Sequence, residues 1–223
     1  YVLNLQVVLA DGSVMWTGSD TLKNSTGYNL TQLFLGSEGT LGIVTKIVFR
    51  LIAKPKHDLL LWVNAPKATT ACEAVSAIMR SGVVPSGMEL MERKGIELAS
   101  EHLSISNPLS ATAEAALMIE VDGNDLDQLM TDCETIAGLL SEFGLEDVLF
   151  ADTAEQKEHW WKIRRSIGEV VKLHSVYKEE DTVVKRSHLA DLMAGVKDIG
   201  ERYGFESVCY GHAGDGNLHV NIL

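Results

Sequence analysis

The chain has 223 residues, of which 46% are hydrophobic and 22% charged, and these proportions are ordinary for a globular protein. A formal net charge of −12, with no dense run of Lys or Arg, argues against a nucleic-acid-binding protein. No stretch approaches the ~18 consecutive apolar residues of a transmembrane helix, and no signal-peptide pattern is present.

The first fifty-odd residues predict a β-rich segment. Asp11-Gly12 separates two apolar runs and is typical of a hairpin turn, and residues 45–52 form a further alternating strand. A change of composition at residues 53–58, with proline and lysine, predicts a domain boundary. We therefore divide the chain into 1–56 and 57–223. Both ends lie inside strand-like patterns, so we expect a piece of a longer protein.

After residue 57 short apolar strands alternate with segments of helical spacing. One long helix is predicted to begin after Thr153, which is a good N-cap residue. The alternation ends in an antiparallel pair, which predicts an α+β domain with helices covering one face of a mostly antiparallel sheet. We find no internal repeat. The scattered residues Cys72, Cys133 and Cys209 lie in apolar surroundings and predict reduced, buried thiols in a cytosolic protein.

Two histidines flank the glycine-rich segment Gly-His-Ala-Gly-Asp-Gly-Asn-Leu-His at residues 211–219. Asp215-Gly216 is a strong signal for a two-residue type I′ turn, which would place His212 directly opposite His219. Opposed residues on one face have Cβ atoms about 4.5–5.5 Å apart, so two imidazoles could share one metal ion. The alternative is a surface hairpin whose glycines serve only the turn.

A second glycine-rich segment covers residues 36–45, with Gly36, Gly39 and Gly42 at every third position. Backbone amides in such a segment can form a nest for an anion such as a diphosphate. The spacing is neither the dinucleotide fingerprint nor a Walker A loop. A plain turn between strands is the alternative.

A third candidate is the helical segment Trp-Trp-Lys-Ile-Arg-Arg-Ser at residues 160–166. Arginine binds carboxylates bidentately, so this segment could hold an acidic substrate. Alternatively, the tryptophans pack in the core and the arginines extend to solvent. Lys178 is a weaker candidate of the same kind.

In combination, these motifs resemble one family. Residues 22–45 resemble the end of the PCMH-type FAD-binding domain of vanillyl-alcohol-oxidase-type flavoproteins. Residues 210–223 resemble the metal-binding motif in the cap domain of the branch that oxidises glycolate, D-lactate and D-2-hydroxyglutarate. The resemblance implies that 1–56 is the C-terminal part of the FAD-binding domain. It also implies that 57–223 is the FAD-linked oxidase C-terminal domain, a ferredoxin-like cap, truncated at its end.

The resemblance also implies roles for particular residues. His212 and His219 match two ligands of a divalent metal, zinc, manganese or iron, and His219 is the candidate catalytic residue. Arg164 and Asn221 match substrate-binding positions, and Lys178 is carried over only weakly. A threonine that is common in the family one turn after the arginine is Gly168 here.

The flavin contacts implied by the resemblance all lie in the first fifty residues. Ile43 is expected near the adenine, and Thr26 and Gly27 are expected close to the cofactor. The candidate FAD-binding residues are Glu38, Gly39, Gly42, Ile43 and Tyr28.

Two parts of the family pattern are absent between residues 1 and 223. The resemblance implies an N-terminal half of the flavin domain before Tyr1. It also implies a glutamate-histidine-glycine motif after Leu223, with the third metal ligand and a base.

The expected activity is FAD-dependent oxidation of a D-2-hydroxy acid to the 2-oxo acid, with metal-assisted substrate binding. The expected electron acceptor is a quinone, an electron-transfer flavoprotein or an iron–sulfur subunit. A homodimer and a cytoplasmic location, peripheral to the inner membrane through the acceptor, are further expectations.

Two alternatives stay open from the sequence. One is a different alcohol-oxidising flavoenzyme on the same fold, such as an aryl-alcohol oxidase, or an ether-lipid synthase. These resemble the chain less, since they lack the paired histidines. The other is a non-catalytic, metal-stabilised module.

Overall fold

The computed structural model describes residues 1–151 and 153–223. Backbone contacts divide the chain into two compact units, Tyr1–Lys54 and Pro55–Leu223. Each unit has its own sheet. No helix in the described part of the chain is long and apolar enough to span a membrane.

The first unit is a three-stranded antiparallel sheet with one short helix. Its elements are β1 (Val2–Val8), β2 (Val14–Trp16), α1 (Leu30–Phe34) and β3 (Ile43–Phe49). β1 lies in the middle, between β2 and β3. The predicted hairpin is confirmed, since the Asp11 carboxylate accepts a 2.9 Å hydrogen bond from the amide of Ser13 at the turn. The buried core of this unit is small and consists of Leu5, Val7 and Phe34.

The second unit contains seven strands and five helices among the described residues. In chain order they are β4 (His57–Ala65), α2 (Ala68–Arg80), β5 (Gly87–Glu92), α3 (Arg93–Leu103), β6 (Ala115–Gly123), α4 (Leu126–Glu142), β7 (Val148–Phe150), α5 (Ala154–His174), β8 (Lys178–Val183), α6 (Leu189–Tyr203), β9 (Ser207–His212) and β10 (Asn217–Ile222).

The strands of the second unit form one sheet in the order β7-β4-β6-β5-β9-β10-β8, and every pairing in it is antiparallel. The run β4-α2-β5-β6-α4-β7 has the connectivity and strand order of a ferredoxin-like unit, with α3 inserted after β5. The run β8-α6-β9-β10 repeats the first four of these elements with the same relative strand order. The α+β, ferredoxin-like prediction is confirmed, and the topology contains a duplication that the sequence does not reveal.

Helices cover both faces of this sheet, which corrects the expectation that they cover one face. Successive residues of a strand point to opposite faces. On β4, Leu61 and Val63 therefore pack with α2, α4 and α6, whereas Leu60 and Trp62 pack with α3 and α5. The apolar run 59–63 has no alternation, because both of its faces are buried.

Helix α5 positions Arg164 and begins where the sequence predicts. The Thr153 side chain accepts a hydrogen bond from the amide of Gln156, and the Gln156 side chain accepts one from the amide of Thr153. This capping box fixes the first turn. The three cysteines are free and buried, as predicted.

Candidate active site

The hairpin of β9 and β10 has a different register from the predicted one. Tyr210, not His212, lies opposite His219, and His212 lies opposite Glu89 on β5. The physical reason is the loop, in which Ala213–Asp215 form one turn of 3-10 helix before Gly216. Such a loop takes up more residues than a type I′ turn.

The two histidines nevertheless share one face of the sheet. Paired residues lie on the same face and alternate residues return to it, so His212 and His219 are diagonal neighbours. Diagonal pairs are about 7–8 Å apart. The face is the one covered by α3 and α5, because Met91 and Tyr210 belong to that core.

Gly216 is required by the loop itself. It has a φ of 76°, and a Cβ atom at this position would overlap the carbonyl oxygen of Val184. For this residue, the interpretation that the glycines serve the turn is correct. It does not account for the histidines on either side.

Glu89 joins two of the predicted site residues. One carboxylate oxygen accepts a 2.7 Å hydrogen bond from Nε of Arg164, and the other lies 2.7 Å from Nδ1 of His212. Glu89 is 5% exposed and Arg164 is 8% exposed, so the ion pair is buried. A carboxylate on Nδ1 orients the His212 ring and leaves Nε2 for a ligand.

Arg164 presents an unused end of its guanidinium group. Within the described residues, only its Nε makes a hydrogen bond, and the guanidinium carbon lies 5.1 Å from the centre of the Tyr210 ring. The two terminal nitrogens can therefore bind a carboxylate side by side. The idea that both arginines extend to solvent is wrong for Arg164 and holds for Arg165, which pairs with Glu158 on the surface. Trp160 is buried in the core, as that alternative states.

His219 and Asn221 follow each other on the same face of β10. The His219 ring stacks on Tyr210, with centroids 5.1 Å apart and planes 22° apart. Its Nδ1 atom lies 3.1 Å from a carboxylate oxygen of Glu179 but makes no hydrogen bond with a described residue. Asn221 is fully buried, and its Oδ1 is also without a hydrogen-bond partner in the described chain. Buried polar atoms of this kind are uncommon and often mark a binding site.

Lys178 is not brought together with these residues. It pairs with Ile222 across β8 and β10, whereas Glu179 pairs with Asn221 and Asp181 pairs with His219. Lys178 therefore points to the opposite face, and it lies 3.3 Å from Glu180 there. A shift of one residue along a strand reverses the face, and the side chain beside His219 is Glu179.

Four of the five candidate FAD residues line one cavity of about 350 Å³ in the first unit. They are Glu38, Gly39, Gly42 and Ile43. A Cβ on Gly42 would lie 2.9 Å from the carbonyl oxygen of Val8, so only glycine fits there. The fifth, Tyr28, is 94% exposed and borders a different cavity of about 180 Å³, together with Thr26 and Gly27.

The other cavities differ in their relation to the site. One of about 180 Å³ borders Glu89 and His212, with Arg186 beside them. A cavity of about 740 Å³ is lined by Glu92 and Lys197, which form a 2.7 Å ion pair. None of the predicted site residues lines that cavity, so we place the candidate site on the His212 face.

A divalent metal would find partly suitable ligands on this face. His212 has Glu89 and His219 has Glu179 beside Nδ1, and an imidazole with a neighbouring carboxylate is typical donor chemistry for zinc, manganese or iron. Among the described residues no group of three His, Cys, Asp or Glu side chains is arranged to hold a metal. The two histidines would therefore need further ligands.

Three residues of the site were not predicted from the sequence: Glu89, Glu179 and Tyr210. Tyr210 and His212 alternate along a strand that the glycine motif already marks, so the period of two was an available signal. Glu89 is one of two carboxylates in the buried strand β5, and a buried charge indicates a partner.

Residues 54–223 match the sequence model of the family described as FAD linked oxidases, C-terminal domain. The glycolate oxidase subunit GlcD of Bacillus subtilis is 34% identical over 98% of this chain and 46% of that protein. The D-lactate dehydrogenase of Archaeoglobus fulgidus is 33% identical over 100% of this chain and 48% of its own length. A probable mitochondrial D-2-hydroxyglutarate dehydrogenase of rice is 36% identical over 100% of this chain and 40% of its own length. The chain spans about half the length of the curated relatives it matches.

Solved structures show the same fold. p-Cresol methylhydroxylase is similar with a TM-score of 0.71 and 16% identity, over 99% of this chain and 50% of that one. Alkyldihydroxyacetonephosphate synthase has a TM-score of 0.65 and 17% identity, over 99% of this chain and 45% of its own. At such low identity these two support the fold alone. With residues 54–223 matched by the family's sequence model, this chain belongs to the FAD-linked oxidases, of which it contains the C-terminal domain.

Proposed function

We propose that the protein containing this chain oxidises a D-2-hydroxy acid to the 2-oxo acid. The observation that carries the proposal is the buried Arg164, whose terminal nitrogens are unused beside two histidines on one face. A carboxylate with a hydroxyl on the adjacent carbon matches this arrangement, since one end needs a guanidinium and the other a group that polarises or deprotonates an alcohol. The relatives named for glycolate, D-lactate and D-2-hydroxyglutarate support this substrate class.

In this proposal Arg164 binds the substrate carboxylate and so orients the hydroxyl-bearing carbon. Glu89 holds the guanidinium through Nε and the His212 ring through Nδ1, so both groups are fixed before substrate arrives. The buried Oδ1 of Asn221 accepts a hydrogen bond from the substrate. Lys178 has no part, because it lies on the other face.

Two groups would supply the remaining chemistry. With further ligands, His212 and His219 would hold a divalent metal, which would supply a Lewis acid for the substrate hydroxyl. Glu38, Gly39, Gly42 and Ile43 would hold FAD, which would supply the acceptor for the hydride of the substrate carbon. Oxidation of the alcohol to the 2-oxo acid also releases the hydroxyl proton, which would pass to the base that the family resemblance implies.

The wider context of the protein is also proposed. Its electrons would pass to a quinone, an electron-transfer flavoprotein or an iron–sulfur subunit. A cytoplasmic location, peripheral to the inner membrane, and a homodimer stay predictions. Residues 1–56 would form the C-terminal part of the FAD-binding domain.

Conservative substitution of neighbouring arginines tests the proposal in the full-length protein. Arg164→Lys removes the planar fork and should lower kcat/KM for the preferred hydroxy acid by at least ~10-fold, or about 1.4 kcal/mol. Arg165→Lys is the matched control, because its side chain is 55% exposed and pairs with Glu158. Dye-coupled assays with glycolate, D-lactate and D-2-hydroxyglutarate measure both. Equal kinetics for the two variants would contradict the role of Arg164.

A further inference from the structure

Tyr210, which the sequence did not predict, contacts two residues of the proposed site. Its ring stacks on His219 on one side, and the Arg164 guanidinium lies 5.1 Å from its centroid. The residue is 5% exposed. A ring that contacts both groups can set their positions relative to each other.

The phenol hydroxyl is held at the far end of the same ring. Burial is the main cause that raises the pKa of Tyr210, and the side chain of Asn221 has the opposite, smaller effect. On α5, a Cβ atom built on Gly168 would lie 2.8 Å from the hydroxyl oxygen and 3.7 Å from the ring carbon that carries it. The hydroxyl therefore occupies the space that any larger residue at position 168 would need.

We propose that Tyr210 is a positioning residue that sets Arg164 and His219 relative to each other, and that Gly168 is the residue that admits its hydroxyl. This deepens the proposed function and rests on it. A tyrosine ring has two side-chain torsions, and this ring contacts both His219 and the Arg164 guanidinium, so it cannot move away from a new methyl group without disturbing its partners. A substitution at Gly168 should thus reach the site through Tyr210.

The contact distances make a sharp double-substitution test possible. Gly168→Ala alone places a methyl group 2.8 Å from the hydroxyl, which is closer than van der Waals contact. Tyr210→Phe removes the hydroxyl and leaves the nearest atom at 3.7 Å, an ordinary contact. In the Tyr210→Phe background, Gly168→Ala should therefore be tolerated.

The matched control is Gly195→Ala on α6. Gly195 is also a helical glycine, and no atom lies within 4 Å of its built Cβ. Gly195 lies outside the proposed site, and alanine is more favourable than glycine inside a helix. The Tm of the Gly195→Ala variant should therefore rise by about 1–4 °C, with unchanged kinetics. The same substitution at Gly168 should lower Tm, because the clash outweighs the helix preference.

The kinetic experiment uses the full-length, flavin-loaded protein and its preferred hydroxy acid. Tyr210→Leu removes the ring and should raise KM by at least about tenfold, because Arg164 loses its contact with the ring, and should also lower kcat. Tyr210→Phe keeps the ring, so its KM should stay within about threefold of the wild-type value. Gly168→Ala should raise KM, and the Gly168→Ala/Tyr210→Phe pair should recover it.

The results separate this proposal from the proposed function. Additive Tm changes in the double substitution would overturn the Tyr210–Gly168 coupling, whatever the substrate proves to be. Coupled Tm changes with normal KM and kcat in Tyr210→Leu would show that the ring has only a packing role, and would overturn the positioning role. A wild-type protein that oxidises no 2-hydroxy acid would refute the proposed function and the positioning role with it, and the Tm cycle would still decide whether the two residues are coupled.

Discussion

The buried ion pair between Glu89 and Arg164 should dominate the stability of the site. Glu89→Ala would leave a guanidinium that is 8% exposed without a carboxylate partner in the described chain. Removing one partner of a buried ion pair typically costs about 3–5 kcal/mol of unfolding free energy. For a domain of this size 1 kcal/mol corresponds to about 2–4 °C, so Tm should fall by roughly 6–20 °C. The second bond of Glu89, to the half-exposed His212, should add little.

Thermal unfolding of the full-length protein, followed by calorimetry, measures this effect. Glu158→Ala is the control, because the Glu158–Arg165 pair is exposed, with side chains 67% and 55% accessible, and should contribute at most about 1 kcal/mol. Replacing both buried partners in Glu89→Leu/Arg164→Met should recover most of the lost Tm, because no unpaired charge is left. A loss in Glu89→Ala no larger than in Glu158→Ala would refute the reasoning.

Three further predictions concern the thiols and the histidines. Burial raises the pKa of the Cys72 and Cys209 thiols to about 12 and that of Cys133 to about 11, so none should react with iodoacetamide at pH 8 until the protein unfolds; rapid labelling of the folded protein would contradict this. Because these thiol pKa values are raised above the ordinary 9.0, the stability that the buried thiols contribute is complete below pH 9 and is lost as pH rises toward 11–12. The denaturant concentration at the unfolding midpoint should therefore decrease as pH is raised from 9 to 10.5, and it should decrease less in Cys72→Ala. His219→Ala should abolish turnover and leave bound flavin unchanged, since the candidate flavin residues lie in the first unit; loss of flavin absorbance together with activity would indicate a folding role instead.

The fold was predictable from the sequence wherever the hydrophobic residues recurred with the period of a strand or of a helix. Alternating strands, helical spacing and the Thr153 cap predicted an α+β domain, and the structure confirms it. The coverage of both faces was missed because β4 and β6 are buried on both sides, and such strands lose the alternation that would show two faces. The duplicated topology was missed because a repeat of connectivity needs no repeat of sequence.

The sequence motifs could name candidate site residues but could not predict their geometry. His212 and His219 share a face as predicted, but their register depends on a 3-10 turn that packs against Val184, and no local signal specifies that contact. Lys178 lies on the opposite face from His219 and Asn221, since one residue along a strand reverses the face. Glu89 is far from Arg164 in the chain, so their pairing appears only after the sheet has formed.

Anaerobic reduction of the bound flavin by a substrate tests the central claim most directly. The full-length, flavin-loaded protein would be mixed without oxygen or acceptor with glycolate, or with the D or L enantiomer of lactate or 2-hydroxyglutarate. The proposed chemistry predicts that at least one D-2-hydroxy acid or glycolate bleaches the flavin and yields one equivalent of the 2-oxo acid, and that Arg164→Lys slows this step while Arg165→Lys does not. A flavin that stays oxidised with all of these acids would contradict the account.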